Sequence, residues 1–347
     1  MRKESEQRVV WVDFLRIFAI FAVIVQHYTP AILDADTYSF LSFEWGVANF
    51  YACLCNFCVP VFIMISGAFL LDPSKKKTTK DLFSKNISKI LILIVFWGIL
   101  YGIIKHLFFS EASFTIFSII GPLFYKRPPW YHLWFLYLIL ALYLLTPLLR
   151  VYTRHASRKN IEYLLLLFFL ISCIKAWNFL MPNLNFNIIE LTGYVGYYVA
   201  GYYFSKYSFT KRTTYLIYIA GFLSFVLSFI LTFIFSIKNG IRESFFIDNI
   251  IPTTIFFSFA VFLFIKNQVS QIRNALSVKA VRFSAPYVLG VYLIHDLFIQ
   301  LFRLIGFTVN SFSVIGSIPI LGIATFTLSV ASVMLIRKLP FLGKHIV

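Results

Sequence analysis

Charge is scarce in this chain. Only 13% of its 347 residues are Asp, Glu, Lys or Arg, about half the share usual in a soluble domain. Acids are the scarcest, 14 against 31 Lys and Arg. In water, a chain 60% hydrophobic would expose apolar patches of a size soluble monomers avoid; a bilayer removes that difficulty. Long polar stretches are missing too, so no separate soluble domain is expected. The whole of 1–347 reads as a single membrane domain. Cysteine is limited to Cys53, Cys55, Cys58 and Cys173, all inside apolar runs, which excludes a disulfide framework or a zinc site and leaves small core or lipid-facing residues. No metal is expected. A secretory signal is not expected either, because Asp13 and Arg16 interrupt the first apolar stretch and no small-residue cleavage site follows.

What is abundant is apolar run length. Crossing the hydrocarbon core takes about 20 apolar residues. Such spans fall near 9–30, 46–71, 86–108, 130–150, 161–180, 188–205, 213–237, 247–265, 284–304 and 313–336. The expected fold class is therefore all-α, a polytopic bundle of about ten transmembrane helices. The span 188–205 is rich in Tyr and Gly, and its Gly193, Gly196 and Gly201 read as close helix-packing positions.

The net charge of +17 would suit a nucleic-acid partner, but its distribution argues otherwise. With the N-terminus inside, one side receives 23 of the 31 Lys and Arg and the other seven, with Arg16 left inside the first helix. The excess alternates loop by loop, as the positive-inside rule requires. Both termini are expected in the cytoplasm, and no nucleic-acid partner is expected. The densest basic stretch, Lys75, Lys76, Lys77, Lys80, Lys85 and Lys89, reads as a topology determinant touching anionic lipid or as a docking surface for a phosphate-rich cofactor.

Ionisable groups inside membrane helices are costly and usually functional. The first helix carries three, Asp13, Arg16 and His27. At 100° per residue they share one face, and Arg16 and His27 lie about 16 Å apart along the axis. Asp13 and Arg16 are spaced for an i,i+3 ion pair near the cytoplasmic end; plain snorkelling at the headgroups is the alternative. His132 opens the fourth span within Trp130-Tyr131-His132-Leu133-Trp134, and Tyr292, His295 and Asp296 fall in the outer half of the ninth. Three of the six histidines thus share one depth, the external third, where with a carboxylate they could form an acid/base site. The second span adds Asn49, Asn56, Pro60 and Ser66; no base neighbours Ser66 in sequence, so a helix–helix hydrogen bond is its expected role.

Four segments in order resemble the acyltransferase-3 type of membrane-bound acyltransferases. They are Asp13-Phe14-Leu15-Arg16 with His27 beyond, Val59 to Gly67 (VPVFIMISG), Tyr131-His132-Leu133-Trp134-Phe135-Leu136 with Thr146-Pro147-Leu148 downstream, and Leu289 to His295 (LGVYLIH). The resemblance is strongest to stand-alone bacterial polysaccharide O-acetyltransferases, such as that of enterobacterial common antigen. Ile17 stands where many relatives have glycine, and the third span has no Arg-x-x-Arg pair.

The resemblance implies acyl transfer, usually acetyl, from cytoplasmic acyl-CoA to a hydroxyl of a cell-surface polysaccharide or lipid-linked glycan, in the bacterial cytoplasmic membrane. On that basis Arg16, with Asp13, contacts the donor or holds an inner gate, and Lys75, Lys76 and Lys77 help dock it. His27 is the base or carries the acyl group. His132, Trp134, Asn56, Tyr292, His295 and Asp296 bind the acceptor or tune His27. A glycan transporter or flippase would also use intramembrane charges, but no internal repeat of the kind transporters show is found.

Overall fold

The computed structural model describes residues 2–75, 78–109, 128–180, 190–269, 271, 275–340, 343 and 346. Among the described residues the chain is helical, without strands. The helices of ten or more residues are α1 (Arg2–Tyr28), α2 (Phe43–Cys55), α3 (Cys58–Leu70), α4 (Ser88–Phe109), α5 (Trp134–His155) and α6 (Arg158–Leu180). They continue with α7 (Glu190–Lys206), α8 (Lys211–Asn239), α9 (Pro252–Val269), α10 (Ala275–Ser284), α11 (Val288–Leu304) and α12 (Val314–Ile336). Nine spans among the described residues are long and apolar enough to cross a membrane, with α2 and α3 forming one of them. The tenth expected span corresponds to α7, seventeen residues long, at the short end of what can cross.

The clearest mark of a lipid environment is α8, whose amphipathicity is inverted. Its buried positions are Gly221, Ser224, Ser228, Thr232 and Ser236. Its outer face is Leu216, Ile219, Phe222, Leu223, Leu227, Ile230 and Ile234. A helix in water would turn the other way. In lipid, small residues let backbones approach and hydroxyls bond across helices. A Cβ on Gly221 would stand 2.2 Å from that of Ala260 in α9, so the two helices are in backbone-close contact. The helix stops at Gly240, which takes the left-handed φ of 67° that glycine adopts without strain.

Two compact units emerge, one of residues 1–69 and 157–330, the other of 70–156 and 331–347. In the first, α1 packs against α2, α9, α10 and α11. Helix α7 lies inside this unit, with every residue from Gly196 to Phe204 buried. The three expected glycines explain how. A Cβ on Gly201 would meet the Met64 carbonyl oxygen at 1.8 Å, one on Gly196 the Phe168 ring at 2.0 Å, and one on Gly193 the Ile250 side chain at 2.5 Å. On the facing helix, Gly67 would meet the Tyr198 carbonyl oxygen at 1.8 Å. Two buried tyrosines of α7 keep their hydroxyls bonded, as burial demands: Tyr197 to the Asn249 carbonyl at 2.6 Å and Tyr203 to Glu162 at 2.5 Å.

Sequence reading needs three amendments. The span 46–71 is two helices, broken at Asn56–Phe57. Pro60 lies four residues after Asn56, and its ring excludes the carbonyl it would have bonded in a continuous helix. Ser66 donates to the Phe62 carbonyl of its own helix at 3.1 Å, not to a neighbouring helix. The connection between the expected spans 247–265 and 284–304 is partly helical as α10, which packs on α1.

In the second unit, α4 and α5 pack together after a π-helical turn, Leu82–Ile87. A capping box joins Thr78 and Asp81. Trp97 donates to the Ile346 carbonyl at 2.8 Å, and Thr153 to the Leu71 carbonyl at 2.8 Å.

Candidate functional site

At its inner end α1 carries Asp13 and Arg16 as a loose ion pair, Nη1 to Oδ1 at 3.4 Å, the expected i,i+3 arrangement. The Arg16 side chain is 39% exposed and its guanidinium lies 5.5 Å from the Phe69 ring centroid. Arg282, on α10, adds a second cation within electrostatic range of Asp13. This end of α1 is therefore a partly open, net basic corner beside one carboxylate.

Eleven residues further on, the last turn of α1 is pinned on both sides of His27. Gln26 Oε1 accepts from the Cys58 thiol at 3.1 Å, and the Tyr28 hydroxyl shares a 2.7 Å bond with Thr325. Thr29 then donates its hydroxyl to the Gln26 carbonyl at 2.9 Å, satisfying one of the backbone oxygens a helix end leaves open. His27 is held by its neighbours in sequence.

The imidazole of His27 stacks on that of His295, with centroids 5.2 Å apart and planes 20° from parallel. The two come from α1 and α11, 268 positions apart in the chain. His295 is fully buried, as is Asp296. The Nδ1 of His295 lies 2.7 Å from the Tyr292 carbonyl oxygen. A carbonyl only accepts, so Nδ1 carries the hydrogen and Nε2 of the neutral ring keeps its lone pair. The Tyr292 ring lies 6.1 Å from that of His295. Asp296 accepts from the Gln300 amide at 3.2 Å, one turn on. A positive charge formed on His27 during proton transfer would be felt directly by His295.

His27 stands in the last turn of α1. His295 is the eighth of the seventeen residues of α11. Thr325, which holds Tyr28, is the twelfth of the twenty-three residues of α12.

The other expected residues separate into different environments. Asn56 donates to Thr254 at 2.7 Å, Thr254 donates to the Asp248 carbonyl at 2.7 Å, and the Asp248 carboxylate holds Lys175 at 2.8 Å through each oxygen. That chain ties the α2–α3 break to the start of α9. His132 and Trp134 belong to the second unit. His132 is buried in the turn before α5, edge-on to Tyr101 at 5.2 Å, while Trp130 stacks on the same Tyr101 at 5.0 Å. Lys75 offers its carbonyl to Arg150 at 2.8 Å; Lys76 and Lys77 lie outside the described residues. Gln26, Tyr28, Thr325 and Gln300 were not singled out in the sequence. Adjacency to His27 and Asp296 could have suggested Gln26, Tyr28 and Gln300; no sequence signal marks Thr325.

An intramembrane histidine pair with an adjacent carboxylate, about 16 Å along α1 from a cationic inner corner, is an arrangement for moving a proton or an acyl group within a helical bundle. The family comparison agrees with that class of chemistry. The acyltransferase-3 model, an acyltransferase domain, matches residues 9–334, and the chain belongs to this family. It is a multi-pass membrane acyltransferase. Comparisons with curated proteins and with solved structures gave no match.

Proposed function

We propose that the protein is an O-acyltransferase of the bacterial cytoplasmic membrane that moves an acyl group, acetyl in the first instance, from cytoplasmic acyl-CoA to a hydroxyl of a cell-surface glycan. The observation that carries this reading is the His27–His295 stack within an acyltransferase-family chain. The subgroup it resembles in motif, the polysaccharide O-acetyltransferases, supplies the substrate class.

In this reading Arg16 meets the phosphates of the donor as a fixed cation, with Asp13 and Arg282 setting its orientation. The acyl thioester then extends along α1 toward His27. The acceptor hydroxyl attacks the thioester carbonyl, its proton passes to His27, the C–S bond breaks and the coenzyme thiolate leaves to be protonated. Positioned proton transfer of this kind contributes about 10²- to 10⁴-fold in rate. His295 orients the ring, and Asp296 balances the charge that forms. Tyr292 and Asn56, both of the first unit, are assigned to the acceptor.

The same geometry allows His27 to take the acyl group first and pass it on. Ping-pong kinetics and an acyl-imidazole trapped with radiolabelled donor in the absence of acceptor identify that route; sequential kinetics identify direct transfer. The function itself is tested by glycan mass spectrometry in cells with and without the gene. Loss of an acetyl-sized increment is the expected result, and loss of the entire polymer would instead assign the protein to export.

A further inference from the structure

Four cations of the first unit stand on the external side of the expected topology: Lys175, Lys238, Arg242 and Arg303. Three are engaged by the protein. Lys175 is bidentate on Asp248, Arg242 meets Asp34 at 2.6 Å, and Lys238 sits 5.6 Å over the Phe235 ring. Arg303 is different. Its residue is exposed, and it makes no ion pair with an acidic side chain among the described residues.

Its position relates it to the histidine pair. Arg303 follows Asp296 by seven residues on α11, so it lies within about 20° of the same helix face and about 10 Å further out. Gln300 lies between them on that stripe and is already bonded to Asp296. The guanidinium is within electrostatic range of both His27 and Tyr28. Topology needs few cations on this side, and an arginine in the last turn of a helix also meets its negative dipole end. Neither explains why, of these four, the one with neither a carboxylate nor a ring partner among the described residues is the one in line with the reacting pair.

We propose that Arg303 is an acceptor subsite, whose guanidinium receives a carboxylate or phosphate carried by the glycan while a nearby hydroxyl is presented to His27. This rests on the transferase reading above and adds to it that the acceptor is anionic. A planar fork of donors suits both groups, bidentately.

The test uses the whole protein in vesicles of phosphatidylcholine alone, which removes anionic headgroups as competitors. Three probes are compared: a hexuronic-acid oligosaccharide, the same oligosaccharide with its carboxyls reduced, and that neutral form bearing one phosphate. The wild type is expected to bind a charged probe at least about tenfold more tightly than the neutral one, with the preference shrinking as salt rises. Arg303→Gln should abolish the preference and leave neutral binding unchanged, and Arg303→Lys should keep part of it. Whichever charged probe binds better names the group. An equal loss on all three probes, or a wild type indifferent to charge, overturns the subsite. Acyl transfer is read separately in the same vesicles. Transfer with an unchanged preference in Arg303→Gln defeats the subsite alone, while charge-selective binding without transfer upholds the subsite and counts against the transferase reading.

Discussion

At the scale of single residues the account turns on two imidazoles that the sequence keeps far apart. His27 was legible early, because an ionisable group in a membrane helix needs a reason. Its partner was legible only as a histidine at similar depth; the stack with His295 depends on how α1 and α11 cross, which no local pattern encodes. The Arg16–Asp13 pair was readable, since i,i+3 spacing fixes it within one helix. Two predictions belong here. His27→Ala should lower acyl transfer by about a hundredfold or more with unchanged insertion and thermal stability, measured on purified protein; wild-type rates in a folded variant would remove His27 from the chemistry. His295→Ala should lower kcat with little change in KM for the acyl donor. His295→Asn, which retains a side-chain N–H for the Tyr292 carbonyl, should recover part of that loss. Equal recovery by Ala and Asn would leave His295 without an orienting role.

At the scale of elements, the glycines of α7 were readable because small residues in a membrane helix signal close approach. What they approach was not: Gly201 meets the backbone of Met64, as Gly67 of α3 meets that of Tyr198, while Gly196 and Gly193 meet the Phe168 and Ile250 side chains. Backbone cannot step aside as a side chain can. Gly67→Val and Gly201→Val should therefore exceed the 1–3 kcal/mol usual for overpacking and give little folded protein in detergent. Gly46→Ala is the matching control, since a Cβ there meets nothing within 4 Å. It should be neutral or stabilise by up to about 1 kcal/mol through helix propensity. Similar melting temperatures for all three would refute the close crossing. The break at Asn56–Phe57 escaped the hydropathy reading because both sides are equally apolar. Pro60 marked it, but only the structure shows the helix stopping rather than bending.

At the scale of the molecule, solubility, span number and orientation all follow from where charge is missing and where the remaining lysines and arginines collect. A membrane-impermeant maleimide tests the orientation in a Cys173→Ser background, since the other three native cysteines, Cys53, Cys55 and Cys58, are buried. In sealed inverted vesicles Lys80→Cys should label and Asp36→Cys should not; in intact spheroplasts the pattern should reverse. Labelling of both residues from one side would contradict the topology. In the proposed reading, orientation gives the site its direction, with Arg16 on the donor side and Arg303 on the acceptor side.

The central claim is that His27, in its stack with His295, transfers an acyl group to a surface glycan. Its most direct test is mass spectrometry of that glycan from cells carrying the wild type, His27→Ala at equal membrane abundance, or no protein. The account predicts an acyl increment only with the wild type, on a polymer of unchanged length in all three. An increment that survives His27→Ala would contradict it.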